Sequence, residues 1–308
     1  MFLSTGLVTI LTAPFVYWKL ENDVQTASFL AESEQAMAIE RLRANQASSD
    51  SREVRWCQVK ETFEDTKTWI FVIMSLGNSI GSQVPYTFGP LILTRLGYDN
   101  YTTLLLNIPF GALQYIVILA VSWSAMRFRW KSLTLGSSLV PVITGLVVLF
   151  VLPRDSTNTA VLLVGYHLFS FTFGCNSLIL SWMIANTAGQ TKKSITLSFY
   201  SAASSTGSIV GPLLFRYGDA PRYEFALKIT LGVYIGVLWA VIIQVVNLAL
   251  LNRAQEKKRV AHEKQAKLYD HSMDEKYVDI AENNHSYVGN FAFADLTDKQ
   301  NDEFVYVY

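Results

Sequence analysis

The side chains best suited to chemistry lie within apolar stretches of this chain. His167 sits in the run Thr159–Ala185, which holds no Asp, Glu, Lys or Arg. An imidazole placed there can bind a substrate, relay a proton, or serve as a hydrogen-bonded structural group. The same run carries Tyr166, Ser170, Asn176, Ser177 and Ser181, and most of these share one stripe at helical spacing. A second stripe, Ser75, Asn78, Ser79, Ser82, Gln83 and Tyr86, marks the run Thr68–Leu93. A third, in Ser194–Phe215, is almost all hydroxyl: Ser198, Tyr200, Ser201, Ser204, Ser205, Thr206 and Ser208. Such a stripe either bonds a neighbouring helix or lines a wet cavity. Amides and phenols suit a cavity wall better than simple hydroxyls. The candidates for a substrate cavity are therefore Asn78, Ser82, Gln83, Tyr86, Tyr166, His167, Ser170 and Asn176.

Covalent chemistry has no comparable footing. The sequence has no Gly-rich phosphate loop, metal-ligand spacing or nucleophile elbow, and three of its four histidines lie beyond residue 261. No enzyme activity, cofactor or metal is expected. The basic clusters lack the interleaved aromatics that stack nucleic-acid bases, so no nucleic acid is expected either. Cys57 and Cys175 fall in a polar linker and an apolar run, which offers no disulfide framework.

These stripes need helices, and the composition says of what kind. Of 308 residues, 51% are hydrophobic and only 16% charged, against about 25% charged in an ordinary soluble domain. The net charge of zero hides an uneven spread: Thr68 to Leu251 holds 10 basic and 4 acidic residues, and the remainder 15 and 21. Six segments are long and apolar enough to cross a bilayer: Thr68–Leu93, Thr102–Ser124, Ser132–Leu152, Thr159–Ala185, Ser194–Phe215 and Phe225–Leu251. Phe2–Trp18 lacks a basic n-region, so it reads as the end of a further membrane helix and not as a signal peptide. The expected architecture is all-α, a polytopic membrane bundle in lipid. Its parts are a truncated helix over 1–18, a linker over 19–67, a six-helix bundle over 68–251 and a tail over 252–308.

Basic residues favour the side that holds the linker, the loops at Arg127–Lys131 and Lys192–Lys193, and the tail, so the C terminus is expected in the cytoplasm. Thr26–Ala44 has an amphipathic helical pattern, and Asp65 is a natural N-cap for the span that follows. Asn252–Asp270 reads as a basic extension of the last span, whose Lys257-Lys258-Arg259 either meets anionic lipid or is simply solvated. Beyond His271 the polar composition predicts disorder. Three G-x-x-x-G pairs, Gly77/Gly81, Gly207/Gly211 and Gly232/Gly236, are expected to bring helices close.

Several strings resemble one family. Asn186-Thr187-Ala188-Gly189-Gln190-Thr191-Lys192-Lys193, then Gly207-Ser208-Ile209-Val210-Gly211-Pro212, then Ala220-Pro221-Arg222-Tyr223 are similar to the N-x-x-G-x-T-K-R, G-N-I-I-G-P and A-P-x-Y strings of fungal major facilitator transporters of the allantoate permease family. Ala27-Ser28-Phe29-Leu30, Arg41 to Gln46 and Asp65-Thr66-Lys67-Thr68-Trp69 resemble its linker strings, and Asp295-Leu296-Thr297-Asp298 through Asn301 and Phe304 its closing D-L-T-D-x-x-N-x-x-F. The resemblance implies a major facilitator fold in which the six spans are helices seven to twelve of twelve, joined by alternating access to an N-terminal half outside this chain. It also implies symport of a small organic anion or vitamin, with protons, across the plasma membrane. Two departures stand out: Ser208 replaces Asn in the glycine string, and the loop Ser124–Trp130 lacks the acidic partner usual in the superfamily. The competing expectation is a fragment without transport activity of its own.

Overall fold

The computed structural model describes residues 2–20, 53–95, 100–153, 158–219, 223–264 and 294–308, with isolated positions between 27 and 38 and at 266. Those residues form helices and connections and no strand. In order, the helices are α1 (Phe2–Lys19), α2 (Trp56–Glu64), α3 (Thr66–Arg95), α4 (Asn100–Phe128), α5 (Lys131–Val151), α6 (Thr159–Leu168), α7 (Phe171–Ala185), α8 (Gln190–Leu213) and α9 (Glu224–Ala261). Lipid offers the backbone no hydrogen bonds, so apolar sequence of this length closes its own as helix. Among the described residues, four segments are both long and apolar enough to cross a membrane: Asn107–Phe128, Lys131–Val151, Thr159–Ala185 and Glu224–Ala261. Helices α3 and α8, of 30 and 24 residues, reach roughly 45 and 36 Å at 1.5 Å per residue. They carry the first and third polar stripes, which lower their mean hydropathy.

Helix α3 is the axis of the bundle, pressed between α8 and α9. Glycine permits both approaches. A Cβ on Gly207 of α8 would stand 2.7 Å from the Leu76 carbonyl oxygen, and one on Gly211 2.9 Å from that of Ile80. On the other side Gly77 faces Val237, where a Cβ would lie 2.6 Å from a methyl, and Gly81 faces the Tyr234 ring. Gly232 and Gly236 have no such role among the described residues, because a Cβ at either meets nothing within 4 Å. Helix α9 also packs on α5, α5 on α6 and α7, and α7 on α4 and α3. The shared core includes Phe71, Met74, Leu139, Phe169, Ile179, Trp182 and Tyr234. Helix α1 exposes its apolar side chains, Leu7, Ile10, Leu11 and Phe15 among them.

Successive spans alternate in direction. The starts of α3, α5 and α8 therefore meet the ends of α4, α7 and α9 at one end of the bundle, here termed the charged end. Two expectations are corrected there. The tail does not stay disordered to its last residue: Asp298, Phe304 and Tyr306 are buried, because each polar group meets a partner and both rings enter the core. Residues 271–293 lie outside the described residues. In the basic trio of α9, Arg259 faces neither lipid nor solvent; it is buried and donates to the carbonyls of Asp302 (2.9 Å) and Ala266 (3.0 Å). Most of the expected helix over 26–44 falls outside the described residues.

Candidate functional site

Two groups of polar side chains are assembled by this packing. The first is a seam where α3 meets α7 and α8. Ser75 Oγ donates to the Tyr200 carbonyl at 3.2 Å, and Ser79 and Ser204 share a hydroxyl bond of 2.9 Å. Gln83 Nε2 donates to Ser208 Oγ at 3.3 Å, and Ser82 Oγ to the Ser79 carbonyl at 2.9 Å. Asn78 is buried, with Nδ2 3.5 Å from the Thr172 carbonyl and no partner on Oδ1. Tyr200 donates to Asn176 Oδ1 at 2.7 Å, which ties α8 to α7. Of the eight cavity candidates, Tyr86 and Asn176 are exposed, Ser82, Gln83 and His167 half-buried, and Asn78, Tyr166 and Ser170 buried.

Tyr166 and His167 lie along α6, against α4. Tyr166 donates to Asn107 Oδ1 at 2.9 Å and stacks on Phe110 at 4.8 Å between ring centroids. His167 Nδ1 is 2.8 Å from the Leu163 carbonyl, one turn back on its own helix, so this nitrogen carries the proton. A chain of edge-on ring contacts joins the two regions: Tyr86 to Phe173 (5.7 Å), Phe173 to Phe110 (6.3 Å), Phe110 to His167 (6.2 Å). Between α6 and α7 the span breaks into tighter bonds, Phe169 to Tyr166 and Ser170 to His167, each 3.1 Å. Such a tightened turn within a span often marks a hinge. Ser170 sits in that break, fully buried, and among the described residues its hydroxyl has no hydrogen-bond partner.

The second group occupies the charged end. Lys192 Nζ binds Glu61 at 2.8 Å, Asp65 at 2.7 Å and Asp298 at 2.8 Å. Lys67 Nζ binds Asp65 at 2.5 Å and also Asp298. Lys299 approaches Asp65 at 3.7 Å, so three ammonium groups face three carboxylates. Tyr306 donates to Asp298 Oδ2 at 2.8 Å and lies under the Lys67 ammonium at 5.4 Å from its ring. Beside them Arg55 pairs with Asp295 at 3.4 Å. Asp65 stands where an N-cap was expected, at the start of α3, but its carboxylate is engaged by the two lysines.

Burial opposes charge on Asp65, Lys67, Lys192 and Asp298, and at all but Lys67 the pairing decides the outcome. Asp298 would be pushed up by burial, yet Lys67 and Lys192 hold its carboxyl well below the usual range, and the same pair lowers Asp65. Lys192 is held above the ordinary lysine value by Asp298 and Asp65 in spite of burial. Lys67 goes the other way: it is fully buried beside the second ammonium, and desolvation prevails over Asp298 and Asp65. Burial, with the Asp298 charge, raises the Tyr306 phenol.

The profile of the Major Facilitator Superfamily matches residues 1–212. The chain belongs to that superfamily. Among curated proteins it is 31% identical, over 78% of its length, to the MFS-type transporter cnsL of Penicillium expansum. It is 30% identical over its whole length to the thiamine pathway transporter THI73 of Saccharomyces cerevisiae, and 25% identical over 84% to the allantoate permease of the same yeast. These matches take in 50%, 54% and 48% of the relatives, so the chain spans about half the length of the curated relatives it matches. No solved structure matches it.

In this facilitator chain, three strings that carried the family resemblance converge on the charged end. Asp65-Thr66-Lys67 supplies one carboxylate and one ammonium, Asn186 to Lys193 a second ammonium, and Asp295 to Phe304 the second carboxylate. Gly189 has a φ of 91°, a backbone setting that favours glycine, and a Cβ there would stand 2.9 Å from Gln58 Oε1. These residues are conspicuous in the sequence as strings, but the site they form is not. The legible signal was charge of both signs set directly at span ends. Sequence reasoning missed Asn107 and Tyr234, lone polar residues in apolar runs without a stripe, and Thr172, which is not in the stripe of its own run; Thr172 Oγ1 and Tyr234 OH bond at 3.0 Å.

Proposed function

We propose that the chain forms the C-terminal half, helices seven to twelve of twelve, of a transporter of the allantoate permease type. It carries a small organic anion or vitamin by alternating access, coupled to protons, with its charged end in the cytoplasm. Membrane transport follows from the superfamily and from relatives that are themselves transporters. The finer reading rests on one observation. Asn78, Gln83, Tyr86 and Asn176 gather where α3, α7 and α8 meet, and an aromatic run leads from Tyr86 to Tyr166 and His167. Amide and phenol donors beside flat apolar rings suit a small carboxylate attached to an unsaturated or heterocyclic body. Among the described residues no Lys or Arg reaches this seam, so the charge partner of an anion belongs to the other half. Excess basic residues at the charged end favour the cytoplasmic side.

The seam is tested by uptake of labelled allantoate and labelled thiamine, separately, into proteoliposomes under an imposed proton gradient. The protein is this chain completed with the N-terminal half of a full-length relative. Uptake that collapses when the gradient is dissipated supports symport, and Asn78→Ala or Gln83→Ala should raise KM for the carried substrate. Uptake indifferent to the gradient would defeat proton coupling. A second reading is favoured by the share of each relative that the chain spans: these 308 residues do not transport alone. Saturable uptake by the chain without any N-terminal half would sink it.

A further inference from the structure

Residues 294–308 contain no helix or strand, yet Thr297, Asp298, Phe304 and Tyr306 are buried to 2% exposure or less. Their partners come from elements far apart in the chain. The Asp295 carbonyl accepts from Gln58 Nε2 of α2 at 2.9 Å, and its carboxylate from the Gln190 amide of α8 at 2.7 Å. The Asp298 carbonyl accepts from Gln255 Nε2 of α9 at 2.6 Å. The Val307 carbonyl accepts from Trp182 Nε1 (2.8 Å) and Asn186 Nδ2 (3.0 Å) at the end of α7. The division of labour is consistent: the bundle contributes mainly donors, and the segment contributes carboxylates and carbonyls. That is the complementarity of a groove and an acidic peptide.

We propose that residues 294–308 are an intramolecular peptide ligand, docked in a groove at the charged end with the Asp298 carboxylate anchored between Lys67 and Lys192, and that the docked segment clamps α2, α3, α7, α8 and α9 together. Undocking leaves neither lysine without a carboxylate, because Lys67 keeps Asp65 and Lys192 keeps Asp65 and Glu61. The groove is therefore built to survive release of its ligand. Within the segment, the Tyr306 hydroxyl already holds Asp298 Oδ2, and Phe304 packs edge-on against Tyr306 at 4.9 Å, so the peptide orders its own anchor. A bundle that opens at this end has to release the segment, which thus favours the closed arrangement. The clamp stands independently of which substrate is carried.

The experiment uses the full chain with a site-specific protease sequence inserted between residues 270 and 290. After cleavage in detergent at physiological salt, the C-terminal fragment should stay with the bundle through gel filtration. A labelled synthetic peptide of residues 294–308 should then exchange into the groove. The Asp298→Ala peptide should compete at least about tenfold more weakly, as expected when one member of a buried charge pair is truncated. The substitution is carried by the peptide, so a folding failure of the bundle cannot imitate this result. Loss of the fragment on cleavage, failure of the native peptide to exchange, or equal competition by the Asp298→Ala peptide would each overturn the proposal.

Discussion

The seam and the charged end are both polar, the one part-buried and the other largely buried, and they are satisfied by different means. In the seam, neutral hydroxyls and amides of α3, α7 and α8 bond one another and backbone carbonyls at 2.7–3.5 Å, and among the described residues Asn78 Oδ1, like Ser170 Oγ in the nearby break of the α6–α7 span, has no partner. At the charged end the ammonium groups of Lys67, Lys192 and Lys299 each meet at least one carboxylate, and Lys192 meets three. A neutral group left unpaired costs about 1–3 kcal/mol, whereas a buried charge left unpaired costs more. The seam can therefore hold spare polar atoms for a passing substrate, while the charged end has to be closed on itself.

The largest effect should come from breaking the ionic cluster from one side. Lys192→Ala leaves Asp298 and Glu61 short of a cation and should lower unfolding stability in detergent by about 3–5 kcal/mol. A loss no larger than that of a surface substitution would mean the cluster contributes little. The depressed Asp298 value predicts a pH dependence of definite sign. Its contribution is complete above the ordinary aspartate value of 3.8 and is lost as pH falls through its lower folded value, since the unfolded chain then binds the proton first. Stability of the native chain minus that of Asp298→Asn should therefore be flat from about pH 5 upward through neutrality and shrink in stronger acid. A difference that grows on acidification would contradict the pairing.

Backbone proximity comes next. Gly207→Val drives side-chain atoms into the Leu76 carbonyl and should cost about 1–3 kcal/mol. Gly232→Ala, where nothing lies within 4 Å, should stay within about 0.5 kcal/mol. Equal effects at the two would remove the case for a tight α3–α8 contact.

Smaller still, Tyr200→Phe removes the bond to Asn176 and should cost about 0.6 kcal/mol, the average for such bonds between membrane helices. The smallest stability change belongs to Ser170→Ala, which deletes a hydroxyl without a partner and should leave stability equal or slightly improved. If that hydroxyl instead serves the substrate, transport by the completed protein falls while stability holds. Unchanged transport would remove Ser170 from the cavity.

How much of this was legible depends on where the information sits. Helix positions followed from apolar length, and α5 (Lys131–Val151) lies within a residue of the expected Ser132–Leu152. The stripes followed from spacing, so Asn78, Ser79 and Gln83 were marked before their partners were known. Among the described residues, Gly77/Gly81 and Gly207/Gly211 face a neighbouring helix and Gly232/Gly236 do not, although all three pairs look alike in sequence. A G-x-x-x-G pair states that one face is smooth and is silent on whether another helix lies there. The tail was the widest miss: composition scored residues 294–308 as polar, and the compensating charges stand far away at Lys67 and Lys192.

By itself, then, the sequence determined that this protein is helical, where its long apolar helices run, and on which of them polar groups share a face. Those properties follow from local hydrophobicity and from the 3.6-residue period. Only the tertiary structure decided that α3 lies between α8 and α9, that the seam forms along it, and that Asp298 returns to two lysines of the bundle. Each of these depends on pairing between distant segments. A burial or an ion pair has its energy only when both members meet, and neither member's local sequence encodes where the other will be.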